Sequence, residues 1–282
     1  MSVKYSDKSY KKFPCPICGY IPEPIFRMKD RFKNILYISV CPNDGLIFLN
    51  PRWTCKQYEK YYKDEYDHMK RKHIFNKDIK TTRKTFKHGR SVLKRIKKYC
   101  KSPKTILDIG AGGDKSLDFL KSVYKNVNTY FIEPSIECQN QIKKRGHILV
   151  DFNTNIKFDL LISRHVLEHV NNPIEHLTNI RSLMNDKSLF LISFPNGGNM
   201  KKVWFETPHI YYFNEEIFNI MVKMVGLKNI THSVGKNEMW YLLSKCNPSD
   251  DLNNGLKYNV QINKIENASK VKEYSVLKIK DN

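Results

Sequence analysis

The sequence has no long apolar run. None of its hydrophobic stretches approaches the roughly 20 residues that a membrane-spanning helix needs, and residues 1–15 are polar and rich in lysine, without the apolar segment of a signal peptide. We therefore expect neither a leader nor a membrane anchor. The 7 cysteines, an odd number spread along the chain, do not form the pattern of a disulfide scaffold. They favour a reducing compartment, the cytoplasm.

Acidic residues and arginine are also scarce. The chain has 49 Lys plus Arg against 28 Asp plus Glu, a net charge of +21, but only 10 of the 49 basic residues are arginine. Nucleic-acid sites use arginine for bidentate contacts, and here the basic residues are scattered. The charge therefore favours a solvated surface and an anionic small-molecule substrate over nucleic acid, which stays an alternative partner. With 282 residues, the chain is long enough for one core and a small accessory domain.

A glycine-rich turn follows the first clear strand. Residues 105–109 are mostly apolar, Gly110 and Gly112 allow a tight turn, and a helix is expected from about Lys115. A dinucleotide-binding fold would need a third glycine where Lys115 stands. A site for S-adenosylmethionine (SAM) instead needs an acidic residue two positions before the first glycine, to bind the cofactor's amino group, and Asp108 stands there.

Further polar residues end the strands that follow. Expected strands at 105–109, 129–133, 147–150, 158–163 and 188–194 alternate with helices at 115–125 and 135–144. This alternation predicts an α/β fold with a parallel sheet, whose ligand lies at the carboxyl ends of the strands. Asp108, Glu133, Asp151 and His165 all stand at such ends.

The order of these segments resembles the class I SAM-dependent methyltransferases, in particular the small-molecule branch with LDIGxG, hVLEHVxxP, PN and a later H…F segment. The resemblance implies a Rossmann-like, mostly parallel sheet with an antiparallel last strand, from strands near 228–234 and 239–244. It implies these cofactor-binding residues: Asp108, Gly110, Gly112, Glu133, Asp151 and His165. The chain departs from the family at Asp114, where a third glycine is usual and a carboxylate would crowd the methionine carboxylate of SAM.

Two cysteine turns precede this region. In the first turn, Cys15 and Cys18 are followed by Gly19. In the second, Cys41 and Asp44 are followed by Gly45, and 22 residues lie between Cys18 and Cys41. Such turns bring four ligands to one structural zinc ion, so we predict zinc bound by Cys15, Cys18, Cys41 and Asp44. Asp44 replaces the usual fourth cysteine. Cys55 or His68 could substitute for it, and a fold that survives without metal is the alternative.

Aromatic residues follow these turns. The segment from Gly45 to Arg52 resembles one that follows the knuckle in sugar and natural-product methyltransferases, and four tyrosines then occur at helical spacing: Tyr58, Tyr61, Tyr62 and Tyr66. The resemblance implies that this region covers the active site and contributes tyrosines to it. Packing of the small domain onto the large one is the simpler explanation for most of the four.

Histidines carry the predicted chemistry, and in a helix over residues 165–169 the side chains of His165, Glu168 and His169 would share one face. In the sugar C-methyltransferases that this chain resembles, a histidine of the H…F segment is the general base. The resemblance therefore implies His209 as the base, with Glu168 or Tyr211 orienting the acceptor. Two alternatives stay open for Glu168 and His169. They bind a divalent metal together with His209, or they belong to a structural helix start.

We predict four regions: a basic tail (1–14), a zinc-knuckle-like cap domain (15–75), the SAM-binding domain (76–246) and a C-terminal extension (247–282). The predicted function is SAM-dependent methylation of a small molecule, a nucleotide-linked sugar or a precursor of a glycan or natural product. An RNA methyltransferase and a degenerate SAM-binding module without activity are the alternatives. The chain lacks the D/N-P-P-Y motif and the cysteine nucleophile of base methylases, which argues against base methylation.

Overall fold

The computed structural model of the protein describes residues 10–31, 33–61, 86–199 and 205–246. The helices are α1 (Cys55–Lys60), α2 (Lys87–Ile96), α3 (Ser116–Val123), α4 (Ile136–Lys144), α5 (Pro173–Ser182) and α6 (Glu215–Met224). Short 3-10 helices span Leu167–His169 and Gly197–Asn199. Among the described residues, none of the helices combines the length and the apolar character that a membrane crossing requires.

Seven strands form the central sheet: β6 (Thr105–Ile109), β7 (Asn128–Ile132), β8 (Ile148–Leu149), β9 (Phe158–Arg164), β10 (Met184–Pro195), β12 (Leu227–Val234) and β13 (Glu238–Lys245). Their order is β12-β13-β10-β9-β6-β7-β8. Strands β6 to β10 are parallel, and β13 runs antiparallel to both β10 and β12. The predicted Rossmann-like sheet with an antiparallel last strand is thus confirmed. However, β13 lies between β10 and β12, so of these last two strands β12 is the edge strand.

Side chains at the helix starts explain where several helices begin. The side chains of Ser135, Asn172 and Asn214 each accept a hydrogen bond from a backbone N–H in the first turn of α4, α5 and α6, respectively. Such caps satisfy amide groups that have no partner within the helix. Helix α6 ends before Gly226, whose φ of +67° a glycine adopts without strain.

The N-terminal residues form two small sheets. Strand β1 (Tyr10–Lys11) pairs with β5 (Arg52–Trp53), and a second sheet contains β2 (Pro24–Lys29), β3 (Ile35–Val40) and β4 (Ile47–Leu49). Its fourth strand, β11 (Tyr211–Tyr212), comes from the far end of the chain and pairs antiparallel with β4. One hydrophobic cluster includes Phe48 of β4, Tyr211 of β11 and Phe194 of β10. The N-terminal sheet therefore shares a hydrophobic core with the central sheet.

The predicted domain limits fall largely outside the described residues. This applies to most of the 1–14 tail, to the boundary between residues 75 and 76 and to the 247–282 extension. Tyr62, Tyr66 and His68 also lie outside the described residues. Tyr58 and Tyr61 are described. Both are buried, with ring centroids 5.5 and 5.8 Å from the ring of Trp53. Packing therefore accounts for these two tyrosines.

Candidate functional site

The glycine turn is held by close packing at the carboxyl end of β6. Gly110 and Gly112 have φ values of +71° and +56°, and the amide of Gly110 donates to the carbonyl of Ile132 over 2.8 Å. A Cβ on Gly110 would overlap Cγ2 of Val166. Position 110 thus needs glycine for two reasons, its backbone conformation and the Val166 methyl group beside it.

Asp108 is buried in β6, two positions before Gly110. Its pKa is raised well above its usual value, because burial disfavours the carboxylate and because Asp114 and Glu133 repel it, while Arg164 acts in the opposite direction. A buried carboxylate with a raised pKa is stabilised by a bound cation. Asp108 can therefore bind a positively charged ligand group.

Glu133 follows β7, the neighbouring strand. Its two carboxylate oxygens accept hydrogen bonds from the amides of Gly112 and Ser135, over 2.8 and 2.9 Å. The side chain is buried, and a carboxylate offers about four lone-pair sites. Glu133 therefore links the glycine turn to β7 and can accept hydrogen bonds from ligand hydroxyl groups.

Asp151 follows β8, the edge strand beside β7. It is exposed, and its carboxylate accepts a hydrogen bond from the amide of Asn153 over 2.8 Å. This is the local turn geometry of a surface aspartate. The cofactor-binding role of Asp151 stays a prediction.

A second cluster surrounds the 3-10 helix that follows β9. One ligand atom from each of Glu168, His169 and His209 lies within 4.8 Å of the others. The His169 and His209 ring centroids are 4.7 Å apart. The continuous helix expected from 165 to 169 is not formed: His165 has a φ of +52° and the 3-10 helix begins at Leu167. Nevertheless, Nδ1 of His165 lies 3.3 Å from Glu168 Oε1.

Glu168 is the buried centre of this cluster. It is 1% exposed, and neither of its carboxylate oxygens accepts a hydrogen bond within the described part of the chain. Although burial raises its pKa, the net shift is downward, because the neighbouring imidazole of His165 stabilises the carboxylate. Glu168 is thus an anion surrounded by histidines, able to hold a proton-accepting imidazole or a cation.

His169 is neutral in this environment. Burial lowers its pKa to about 4, against the attraction of Glu168. Its Nδ1 lies 2.7 Å from the carbonyl of Pro208, which requires the proton on Nδ1 and leaves Nε2 as the basic atom. Nε2 lies 3.8 Å from Glu168 Oε1. His169 is therefore oriented toward the cluster by the segment that carries His209.

The segment that carries His209 is held from both sides. The amide of Ile210 donates to the carbonyl of Glu168 over 2.7 Å, and the carbonyl of Ile210 accepts from the amide of Leu49, the last residue of β4, over 2.9 Å. The hydroxyl and amide of Thr207 donate to Asp30, after β2, over 2.6 and 3.1 Å. The N-terminal sheet thus fixes His209 against the 3-10 helix.

Tyr211 is fully buried behind this segment. Its hydroxyl donates to the carbonyl of Asn171 and accepts from the guanidinium of Arg52, both over 2.9 Å. Arg52 also lies over the ring of Phe13, 4.3 Å from its centroid. These contacts hold β11 and the end of the 3-10 region together. They favour a structural position for Tyr211, and its predicted orienting role stays a prediction.

The cysteine turns converge as predicted. One ligand atom from each of Cys15, Cys18, Cys41 and Asp44 lies within 4.8 Å of the others. Gly19 and Gly45 have φ near +76° in each turn, and their amides donate to the carbonyls of Cys15 and Cys41 over 2.9 and 2.8 Å. The two turns therefore have the same geometry, which suits a tetrahedral ion.

Within this cluster the protein atoms contact one another. The thiol of Cys15 donates to Asp44 over 3.0 Å, and the sulfur atoms of Cys18 and Cys41 are 3.3 Å apart. Contacts with Cys15 and Cys18 lower the pKa of Cys41, whereas burial raises the pKa of Cys18 to about 11. Cys55 is exposed and does not belong to the described cluster, so Asp44 stays the predicted fourth ligand.

Sequence reasoning gave no role to Arg164 and Glu238. Arg164 ends β9 and lies 3.3 Å from Asp114, while Glu238 starts β13 and lies 2.7 Å from Nε2 of His165. Arg164 could have been noticed, because it is a charged residue directly after a buried apolar strand. Glu238 could not, since only the antiparallel pairing of β13 with β10 brings it to the site.

Comparison with known proteins gives a family match. A family described as "Methyltransferase domain" matches residues 82–232, more than half of the chain. No curated protein matches the chain in sequence.

Solved structures resemble it in fold. A SAM-dependent methyltransferase from Clostridium acetobutylicum has a TM-score of 0.51 at 14% identity, over 65% of this chain and 99% of its own. Magnesium protoporphyrin IX methyltransferase of Synechocystis, with bound SAH, has a TM-score of 0.51 at 14% identity, over 67% and 98%. A Haloferax volcanii methyltransferase in complex with the activator Trm112 has a TM-score of 0.50 at 10% identity, over 68% and 98%.

Proposed function

This chain belongs to the methyltransferase-domain family and is a SAM-dependent methyltransferase, and we propose that its acceptor is a small anionic molecule, a nucleotide-linked sugar or a glycan or natural-product precursor. The proposal rests above all on the convergence of Glu168, His169 and His209. The resemblance of the Gly45–Arg52 and His209 segments to sugar methyltransferases supports the sugar, and the net charge of +21 supports an anionic acceptor.

The residues around the glycine turn fit the cofactor. When bound, SAM supplies an electrophilic methyl group on a sulfonium centre. Asp108 would bind its amino group, because its buried carboxylate is stabilised by a cation. Glu133 would accept the ribose hydroxyls, with Gly110 and Gly112 allowing close backbone approach. His165 and Asp151 would contact the remainder of the cofactor.

His209 would remove the acceptor proton. It lies beside the buried carboxylate of Glu168. Glu168 and the neutral His169 would hold the acceptor and the base in position, since alignment is the main task of the protein in a direct displacement.

The test is the variant His209→Ala, with His232→Ala as its control. His232 is a half-exposed histidine of β12 that pairs with Glu215, outside the cluster. Acceptors are screened as nucleotide sugars and as RNA. We expect His209→Ala to keep SAM affinity and to lose roughly 10²–10⁴-fold in methyl transfer, while His232→Ala keeps both. Transfer at the wild-type rate by His209→Ala would eliminate His209 as the base.

Two alternatives lead to other results in the same assays. An RNA acceptor, which the positive charge would favour, gives transfer onto RNA and affinity that falls steeply with salt. A degenerate module gives SAM binding without transfer to any acceptor. Divalent metal at Glu168, His169 and His209 would make transfer sensitive to chelators, since two imidazoles and a carboxylate suit such an ion.

We also propose a structural zinc ion bound by Cys15, Cys18, Cys41 and Asp44. The matching geometry of the two turns supports it. Cys15 and Cys41 belong to the same hydrophobic cluster as Ile210 and Tyr211. The ion would therefore stabilise the sheet against which the His209 segment packs.

A further inference from the structure

Asp114 occupies the position of the third glycine of the turn, yet its carboxylate is directed into two specific contacts. Oδ1 accepts a hydrogen bond from the amide of Ser116, at the start of α3, over 2.7 Å. Oδ2 lies 3.3 Å from Nη1 of Arg164, whose side chain is 12% exposed. A negative charge at this turn is thus matched by a nearly buried arginine.

Arg164 reaches the turn because of the sheet register. In the parallel pairing of β6 with β9, Ile109 is aligned with Ser163. The next residues, Gly110 and Arg164, therefore lie side by side at the carboxyl ends of the two strands. The acidic position in the turn and the basic strand end are 50 residues apart in sequence, and the sheet brings them together.

The guanidinium of Arg164 keeps hydrogen-bonding capacity. Nη2 lies 2.7 Å from Nδ1 of His88 in α2. Burial and the charge of Arg164 lower the pKa of His88, so its neutral ring accepts this bond. Of the five N–H donors of an arginine, these contacts use two. Nε is buried and has no hydrogen-bond partner in the described part of the chain.

The charges of this group also act on Asp108. Arg164 lowers the pKa of Asp108, whereas Asp114 and Glu133 raise it. Arg164 is therefore within electrostatic reach of the carboxylate that binds the cofactor's amino group. A ligand carboxylate beside this amino group would meet the negative charge of Asp114 and the positive charge of Arg164 together.

We propose that Arg164 binds the methionine carboxylate of SAM and that the Asp114–Arg164 pair replaces the third glycine of the turn. Asp114 orients the guanidinium, and Arg164 neutralises the carboxylate that would otherwise repel the cofactor. The inference rests on SAM binding at this turn. Arginine suits the role because its planar fork can hold two carboxylates at once.

The experiment compares the affinities of SAM and of decarboxylated SAM, which lacks only the carboxylate, by calorimetry. The variants are Arg164→Met, which keeps side-chain length and removes the charge, and Arg27→Met, a matched control on the exposed face of β2. Arg164→Met should weaken SAM about 10- to 100-fold, as expected for loss of a charged hydrogen bond. Its affinity for decarboxylated SAM should stay within about twofold of wild type. Arg27→Met should alter neither.

A second substitution tests the pairing. Adding Asp114→Gly to Arg164→Met should recover part of the lost SAM affinity, because it removes the unpaired carboxylate. An equal loss for both ligands in Arg164→Met would make Arg164 a structural residue and overturn the inference, and so would unchanged affinity for both. Absence of recovery in the double variant would overturn the role of Asp114. Wild-type protein that binds neither ligand would overturn the cofactor assignment as well.

Discussion

The glycine turn offers a sharp comparison, Gly110→Ala against Gly113→Ala. Gly110 has a φ of +71°, and a Cβ there would overlap Val166, whereas Gly113 lies outside the left-handed region and has no atom within 4 Å of an added Cβ. A left-handed alanine costs about 1–2 kcal/mol, and overpacking adds about 1–3 kcal/mol. We therefore expect Gly110→Ala to lose roughly 2–5 kcal/mol of unfolding free energy.

The assay is thermal unfolding together with calorimetric titration of S-adenosylhomocysteine. Gly110→Ala should lower the melting temperature by on the order of 10 °C and weaken ligand binding, while Gly113→Ala stays at the wild-type temperature or slightly above it. Adding Val166→Ala to Gly110→Ala should relieve the steric overlap but leave the backbone strain, so recovery should be partial. Equal melting temperatures for the two glycine variants would refute the argument from φ and packing.

Three further predictions concern charge and metal. Asp108→Asn should abolish measurable SAM binding. It should also raise the melting temperature more at pH 8 than at pH 5, because the raised pKa of Asp108 means that its ionisation destabilises the fold as pH rises. An equal gain in melting temperature at the two pH values would contradict this. Burial lowers the pKa of His176 from 6.5 to about 4, so stability should fall as pH drops through this interval. His176→Gln should remove part of that fall in urea unfolding at pH 5 against pH 7.5. Metal analysis of purified protein should find zinc that Cys41→Ser loses and that Asp44→Cys retains against stronger chelation; zinc content unchanged in Cys41→Ser would exclude this site.

The glycine turn and the strand ends beside it were predictable from sequence. A run of apolar residues followed by Gly110 and Gly112 specifies a strand and a tight turn locally, and alternation of strands and helices places strand ends at one edge. Asp108 and Glu133 follow from these local rules. The cysteine turns were predictable for the same reason, since each is a short local structure with its own glycine.

The cluster of Glu168, His169 and His209 was predictable only in part. The segment from His165 to His169 was recognisable, but the expected helix is a 3-10 turn preceded by a residue with positive φ. The proximity of His209 to Glu168 depends on two long-range hydrogen bonds. The amide of Ile210 donates to the carbonyl of Glu168, and the carbonyl of Ile210 accepts from the amide of Leu49. No periodicity in the sequence specifies such contacts.

The sequence by itself determined the fold class, the glycine turn and the two cysteine turns, because these depend on periodicity and on residues adjacent in the chain. Only the tertiary structure decided that β11 completes the N-terminal sheet and that Arg164 pairs with Asp114. Both arise from strand pairing between distant segments. Such pairing is set by the packing of the whole core, and not by the local preferences of the residues involved.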